Sequence, residues 1–143
     1  MLYTIGYESK SINGFITKLK NNNIKKLIDV RELPISRKKG YSKSQFSKLL
    51  EYNDIDYIHI KELGSPKKLR KKLREDLDFN YFFKEYRRYL KTQHGVVYDL
   101  YETILKETCC LMCYEDLPTK CHRIEICNEI KKIDGNGLEI KHL

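Results

Sequence analysis

Apolar positions along this chain switch repeatedly between a period of two and a period near 3.6, which predicts short strands alternating with amphipathic helices. Residues 2–5 read as a strand that stops at Gly6. Ile12, Phe15, Ile16 and Leu19 then recur at helical spacing behind Ser9 or Ser11 as N-cap. Residues 27–30 form a second strand, followed by a loop carrying Pro34 and Gly40. Ser42, with Gln45 three residues on, makes a capping-box pattern ahead of Phe46, Leu49 and Leu50. Tyr57, Ile58 and Ile60 mark a third strand. Residues 66–106 read as two or three helices with no strand between them. Residues 109–113 are a fourth strand, 119–133 a helix, and 138–142 a closing strand after a turn at Gly135 and Gly137.

Strands alternating with helices imply right-handed crossovers and a sheet covered on both faces. The expectation is a three-layer α/β fold with a mainly parallel sheet of about five strands and a helical insertion before the fourth. No repeat, low-complexity stretch or linker interrupts the chain, so residues 1–143 read as a single α/β domain. The order of the strands is not legible.

Composition narrows the class. With 41% hydrophobic residues the chain is too apolar for a disordered tail. Its longest apolar run, Cys109 to Cys113, is far short of the ~18 residues of a membrane span. The start, MLYTIGYESK, lacks the basic-then-apolar pattern of a signal peptide. Five cysteines, three of them crowded into one apolar stretch, suit a reducing compartment. A soluble cytoplasmic protein without a membrane partner is therefore expected. The net charge of +8 raises the prospect of a polyanionic partner, yet 21 of the 28 basic residues are Lys, which reads as surface background.

Ligands of open parallel sheets bind beyond the carboxyl ends of the strands. The chemically capable residues all fall at those predicted ends. Gly6, Tyr7 and Glu8 follow the first strand. Asp29 and Arg31 close the second and lead to Ser36, Arg37 and Lys38. His59 ends the third, and Cys113 the fourth, leading through Glu115 to Cys121, His122 and Arg123. Cys121 before a helix, flanked by Lys120 and Arg123, sits where dipole and cations favour a thiolate. His122 and Glu115 are the proton carriers of such a set, with Cys113 as a second thiol. The structural alternative makes Cys121 a packing residue and His122 a helix-start residue. The spacing is not a Cys-x5-Arg phosphate loop, because Arg123 lies ten positions after Cys113. Arg31, Arg37, Arg123 and Lys38 are candidate anion ligands, Arg for its planar fork; the alternative for Arg31 is an ion pair with Asp29.

A zinc site from Cys110, Cys113, Cys121 and His122 has plausible ligand types but is disfavoured, because residues 110 and 113 of a strand point to opposite faces. No cofactor is assigned. A third basic cluster, Lys67, Lys68, Arg70, Lys71, Lys72 and Arg74, with Leu69 and Leu73, reads as an amphipathic helix with a cationic outer face. Tyr81, Phe82, Phe83, Tyr86 and Tyr89 follow it; such aromatics stack on bases or, more often, form core.

These motifs together resemble the family called domain of unknown function 488. They are Thr4-Ile5-Gly6, Asp29-Val30-Arg31, Pro34, Ser36-Arg37, Tyr57, His59, Leu63-Gly64, Leu111-Met112-Cys113, Glu115 and Cys121-His122-Arg123. The resemblance runs from Tyr3 to near the end of the chain. It implies an α/β fold with a rim site made from these motifs and brings no reaction with it. Tyr7-Glu8 stands where the family usually has His-Ser, and Ser65 where a second Gly is common.

The leading expectation is an enzyme acting on a phosphate-bearing substrate, a nucleotide or nucleic acid. In it Arg31, Arg37 and Arg123 bind the anion, Cys121 or Cys113 is the reactive thiol, and His122 and Glu115 move protons. The rivals are a non-catalytic nucleic-acid-binding module using the basic helix and a Cys/His metal-binding protein.

Overall fold

Successive residues of a strand face opposite sides of its sheet, so a strand buried throughout must feed two cores. The fourth strand does this. Cys109, Leu111 and Cys113 pack with Leu2, Ile28 and Val30, whereas Cys110 and Met112 pack with Ile5 and Leu27. The computed structural model describes residues 1–143. Its strands are β1 (Leu2–Gly6), β2 (Lys26–Asp29), β3 (Asp56–His59), β4 (Cys109–Cys113) and β5 (Ile140–His142). All pair in parallel, in the order β3-β2-β4-β1-β5.

Helices α1 (Ile12–Asn21) and α2 (Lys43–Tyr52) cover one face through Phe15, Ile16, Leu19, Phe46 and Leu50. The other face is covered by α4 (Phe79–Lys91), α5 (His94–Lys106) and α6 (Arg123–Asp134), with Tyr86, Leu90, Val97, Leu100, Ile104, Ile126 and Ile130 inward. This is the expected three-layer α/β arrangement, and three helices do fill the interval before β4. The first of them, α3 (Lys67–Asp76), buries no residue fully. No helix is long and apolar enough to cross a membrane.

Two local expectations change. Ser42 is the N-cap of α2 but makes no capping bond. Its Oγ instead accepts from the Ser36 amide at 3.0 Å and donates to the Ser36 carbonyl at 3.1 Å, closing the preceding loop. The predicted helix over 119–133 is interrupted. A 3₁₀ turn at Pro118–Lys120 is followed by Cys121 in extended conformation (φ −131°, ψ 142°), and α6 begins only at Arg123.

The strand order positions the site. From β1 the chain moves to β2 and β3 with α1 and α2 over one face. It then inserts β4 between β2 and β1, and leaves β4 by way of α6 on the opposite face. Connections on both sides of β4 therefore diverge and leave a crevice at its carboxyl end, the usual ligand position in such sheets.

At the far edge, Thr4 Oγ1 accepts from Arg123 Nε at 3.3 Å and meets His142 Nδ1 at 2.6 Å. Burial, then the Arg123 charge, lowers the His142 pKa below its ordinary value. A base whose folded pKa lies below its unfolded one contributes stability at neutral pH that fades as pH falls below about 6.5. His142→Asn should therefore flatten the loss of stability between neutral and mildly acidic pH. Urea melts of both proteins across that range test this, and an unchanged slope contradicts it.

Candidate functional site

The site is assembled on the ends of β1, β2 and β4. The β4–α6 loop lies directly over β1, because position 6 has no side chain. A Cβ on Gly6 would be driven into the Glu115 carbonyl and would lie 2.8 Å from Asp116 Cα. Arg123 fastens the same loop from inside. Only 1% exposed, it donates from Nη1 to the Glu115 carbonyl and from Nη2 to the Asp116 carbonyl at 3.0 Å.

This loop brings three donor atoms together. Cys113 Sγ and Cys121 Sγ each lie 3.8 Å from His122 Nδ1, and all three atoms fall within 4.8 Å of one another. His122 Nε2 is 2.8 Å from the Val30 carbonyl. A carbonyl only accepts, so Nε2 carries the proton and Nδ1 is turned to the sulfurs. The Tyr86 ring holds the imidazole edge-on at 5.1 Å between centroids, and Tyr86 itself donates to the Leu63 carbonyl.

The three groups shift one another. For Cys121, burial opposes ionisation, but hydrogen bonding from Cys113 and the charges of His122 and Arg123 outweigh it and set the thiol well below its usual range. The bond to Cys121, followed by burial, pushes Cys113 up. Burial pulls His122 down, but the Cys121 charge and hydrogen bond raise it overall. Glu115 stands beside them, pushed up to about 7 by burial and then by the Cys121 charge. Its Oε2 is the one buried side-chain oxygen or nitrogen without a hydrogen-bond partner.

Opposite stands Arg31, 6% exposed, on a fully buried Asp29. Its Nε donates to Asp29 Oδ1 at 2.9 Å and its Nη2 to Oδ2 at 2.7 Å, while Tyr57 donates to Oδ2 at 2.6 Å. Burial acts to lower the Arg31 pKa, but the hydrogen bonds and charge of Asp29 raise it overall, keeping the cation fixed. Nη1 donates to the Tyr7 hydroxyl at 3.2 Å, so Tyr7-Glu8 supplies through Tyr7 an oxygen that orients the arginine. Arg31 has five N–H groups, and these bonds use three.

Between these walls lies a cleft of about 560 Å³ lined by Arg31, Cys113, Glu115 and His122. Arg70 and Arg74 from α3 and Lys120 from the 3₁₀ turn also line it. Arg70 is tied to Glu32 at 2.9 Å and to the Ser65 carbonyl, whereas Arg74 and Lys120 are exposed and make no ion pair. Tyr114 and Leu73 supply apolar surface. Gly64 permits the close fit of this wall, since a Cβ there would lie 2.6 Å from Glu32 Cβ and closer still to its backbone.

The expected candidates divide accordingly. Cys113, Glu115, His122, Tyr7 and Arg31 line the cleft, with Cys121, Asp29 and Gly6 directly behind them. His59 supports the wall, its Nε2 donating to the Arg31 carbonyl at 2.7 Å. Arg37, Lys38, Ser36 and Glu8 do not reach it. Arg37 is exposed on the loop before α2, Lys38 Nζ donates to the Glu8 carbonyl at 2.8 Å, and Ser36 Oγ accepts from the Lys38 amide. Arg123, 1% exposed, holds Thr4 and two loop carbonyls and does not line the cleft. Arg70 and Arg74 take the places foreseen for these cations. The signal for them was their i, i+4 spacing beside Leu69 and Leu73, which puts one side of α3 toward the protein. Cys110 lies in the opposite core and is no part of the Cys/His cluster.

No match was found among curated proteins or among solved structures. The family model described as domain of unknown function DUF488 matches residues 11–130, which include β2, β4, Arg31 and the Cys/His cluster; the chain belongs to that family.

Proposed function

We propose that this protein is an enzyme acting on a phosphate-bearing substrate held in the cleft beyond β1, β2 and β4. One observation carries the reading: cations with unspent donors line the same cavity of about 560 Å³ as a Cys/His/Glu cluster. That volume is in the range of small-molecule sites. The two free N–H groups of Arg31, together with Arg74 and Lys120, bind the phosphate by charge-assisted hydrogen bonds. The substrate then lies with its reacting end over Cys113, Glu115 and His122, while Cys121, 1% exposed, acts from behind them. Tyr114, 46% exposed at the mouth, offers a ring face to a base or other planar group.

Inorganic phosphate, pyrophosphate and nucleoside monophosphates at millimolar concentration should raise the melting temperature. Replacing both Arg74 and Lys120 with alanine should weaken binding by roughly tenfold or more, since a hydrogen bond to a charged group contributes about 1.5–3 kcal/mol. Unchanged melting with every phosphate compound would refute the reading.

A longer polyanion is the second reading, favoured by the continuity of the cleft with α3, where Lys67, Lys68 and Lys71 stand exposed beside Arg74. It requires short single-stranded oligonucleotides to bind more tightly than mononucleotides, with log affinity falling linearly against log salt.

A further inference from the structure

The Cys/His cluster has the makings of a coordination site. Zinc bonds of about 2.3 Å to sulfur and 2.0–2.1 Å to nitrogen, at tetrahedral angles, place S and N donors about 3.6 Å apart and two sulfurs about 3.8 Å apart. Here both sulfurs already stand 3.8 Å from His122 Nδ1, and no pair among the three donors exceeds 4.8 Å. The ligand types agree, since two thiolates and an imidazole suit zinc better than hard cations such as magnesium. The surroundings agree as well. His122 donates a hydrogen bond from Nε2–H to the Val30 carbonyl at 2.8 Å, the outer bond that turns a liganding histidine and fixes its tautomer. Cys113 ends a central strand, and Cys121 and His122 follow a loop that Arg123 holds by two carbonyls, so the donors stand on rigid supports.

We propose that Cys113 Sγ, Cys121 Sγ and His122 Nδ1 bind one zinc ion, leaving a fourth coordination position open to the cleft. Three protein ligands with one open position characterise catalytic rather than structural zinc. Cys113 and His122 both line the cavity, so the open position belongs to water or to a substrate oxygen. Glu115 Oε2, buried and without a partner, is the hydrogen-bond acceptor for the molecule bound there. Cys110 is outside the site despite its two-residue spacing from Cys113, because it faces the core under α1 and α2. The zinc site deepens the enzyme reading, but its ligands are independent of what the cationic wall binds.

Elemental analysis of the purified full-length protein, after dialysis against zinc and then against metal-free buffer, should give one zinc per chain. Cobalt(II) in its place should produce thiolate-to-cobalt absorption and the intense visible bands of tetrahedral coordination. Cys113→Ser and Cys121→Ser should each lose the zinc, whereas Cys110→Ser and Glu115→Gln should retain it. The cobalt spectrum is read on the unaltered protein, so it decides the matter even where a variant fails to fold. Substoichiometric zinc with no thiolate–cobalt absorption overturns the proposal. Loss of zinc from Glu115→Gln overturns the open position. Full zinc occupancy without any phosphate effect on melting would leave the metal site standing and remove the phosphate reading alone.

Discussion

Asp29→Ala is expected to destabilise the fold by about 3–5 kcal/mol, the usual cost of removing one partner of a buried ion pair. Asp29 is fully buried and accepts four hydrogen bonds: three from Arg31, including its backbone amide at 3.1 Å, and one from the Tyr57 hydroxyl. Without the carboxylate, the guanidinium of Arg31, 6% exposed, loses the partner that holds it. The phenol of Tyr57 loses its acceptor at the same time. Replacing the pair together, Asp29→Leu with Arg31→Met, should recover most of that loss, because no uncompensated charge then remains buried. The double variant should still bind phosphate more weakly than the parent, since the Arg31 donors are gone. Urea denaturation of the two variants gives the comparison. A loss below about 1 kcal/mol for Asp29→Ala would show that the pair is solvated in solution and not held as described.

Gly6→Ala is expected to combine a stability loss of about 3 kcal/mol with loss of the site. The added methyl must displace the backbone of Glu115 and Asp116, and neither is free to move. Arg123 grips both carbonyls, Lys10 Nζ holds Asp116 Oδ1 at 3.1 Å, and the Glu8 amide donates to the Tyr114 carbonyl at 2.9 Å. The loop must lift, carrying Glu115 from its place beside Cys121 and His122. Gly95→Ala is the matched control. That glycine lies in α5 with nothing within 4 Å of an added Cβ, so alanine should be neutral or stabilising by up to about 1 kcal/mol. Equal effects of the two substitutions would contradict the close packing at β1.

Both positions belong to motifs visible in the sequence, yet sequence spacing conveyed only part of what they do. Gly6 was legible as the stop of a strand; that its bare Cα makes room for the loop carrying Glu115 depends on β4 lying beside β1. Asp29 and Arg31 were legible as a pair, because two residues apart at a strand end is a local relation. Arg123 was misplaced for the opposite reason. A charged residue at a helix start suggests an anion, but its guanidinium is here buried against Thr4 and the carbonyls of a loop folded back over it, and the folding of that loop leaves no mark in residue spacing. Arg70 and Arg74 read as a separate surface, because their spacing beside Leu69 and Leu73 shows that one side of α3 meets protein but not that it meets the sheet end.

Residue spacing alone reveals the alternation of strands and helices, the extent of β4 at Cys109–Cys113, and the separation of Cys110 from Cys113 onto opposite faces. These follow from the pleat of a strand and the pitch of a helix, which act over a few residues. The order β3-β2-β4-β1-β5 emerges from the folded chain, and with it the meeting of Cys113, Cys121 and His122 at the cleft that Arg31 also lines. That order arises from packing between elements far apart in the chain. Insertion of β4 between β1 and β2 is what turns four separate motifs into the walls and floor of one cleft.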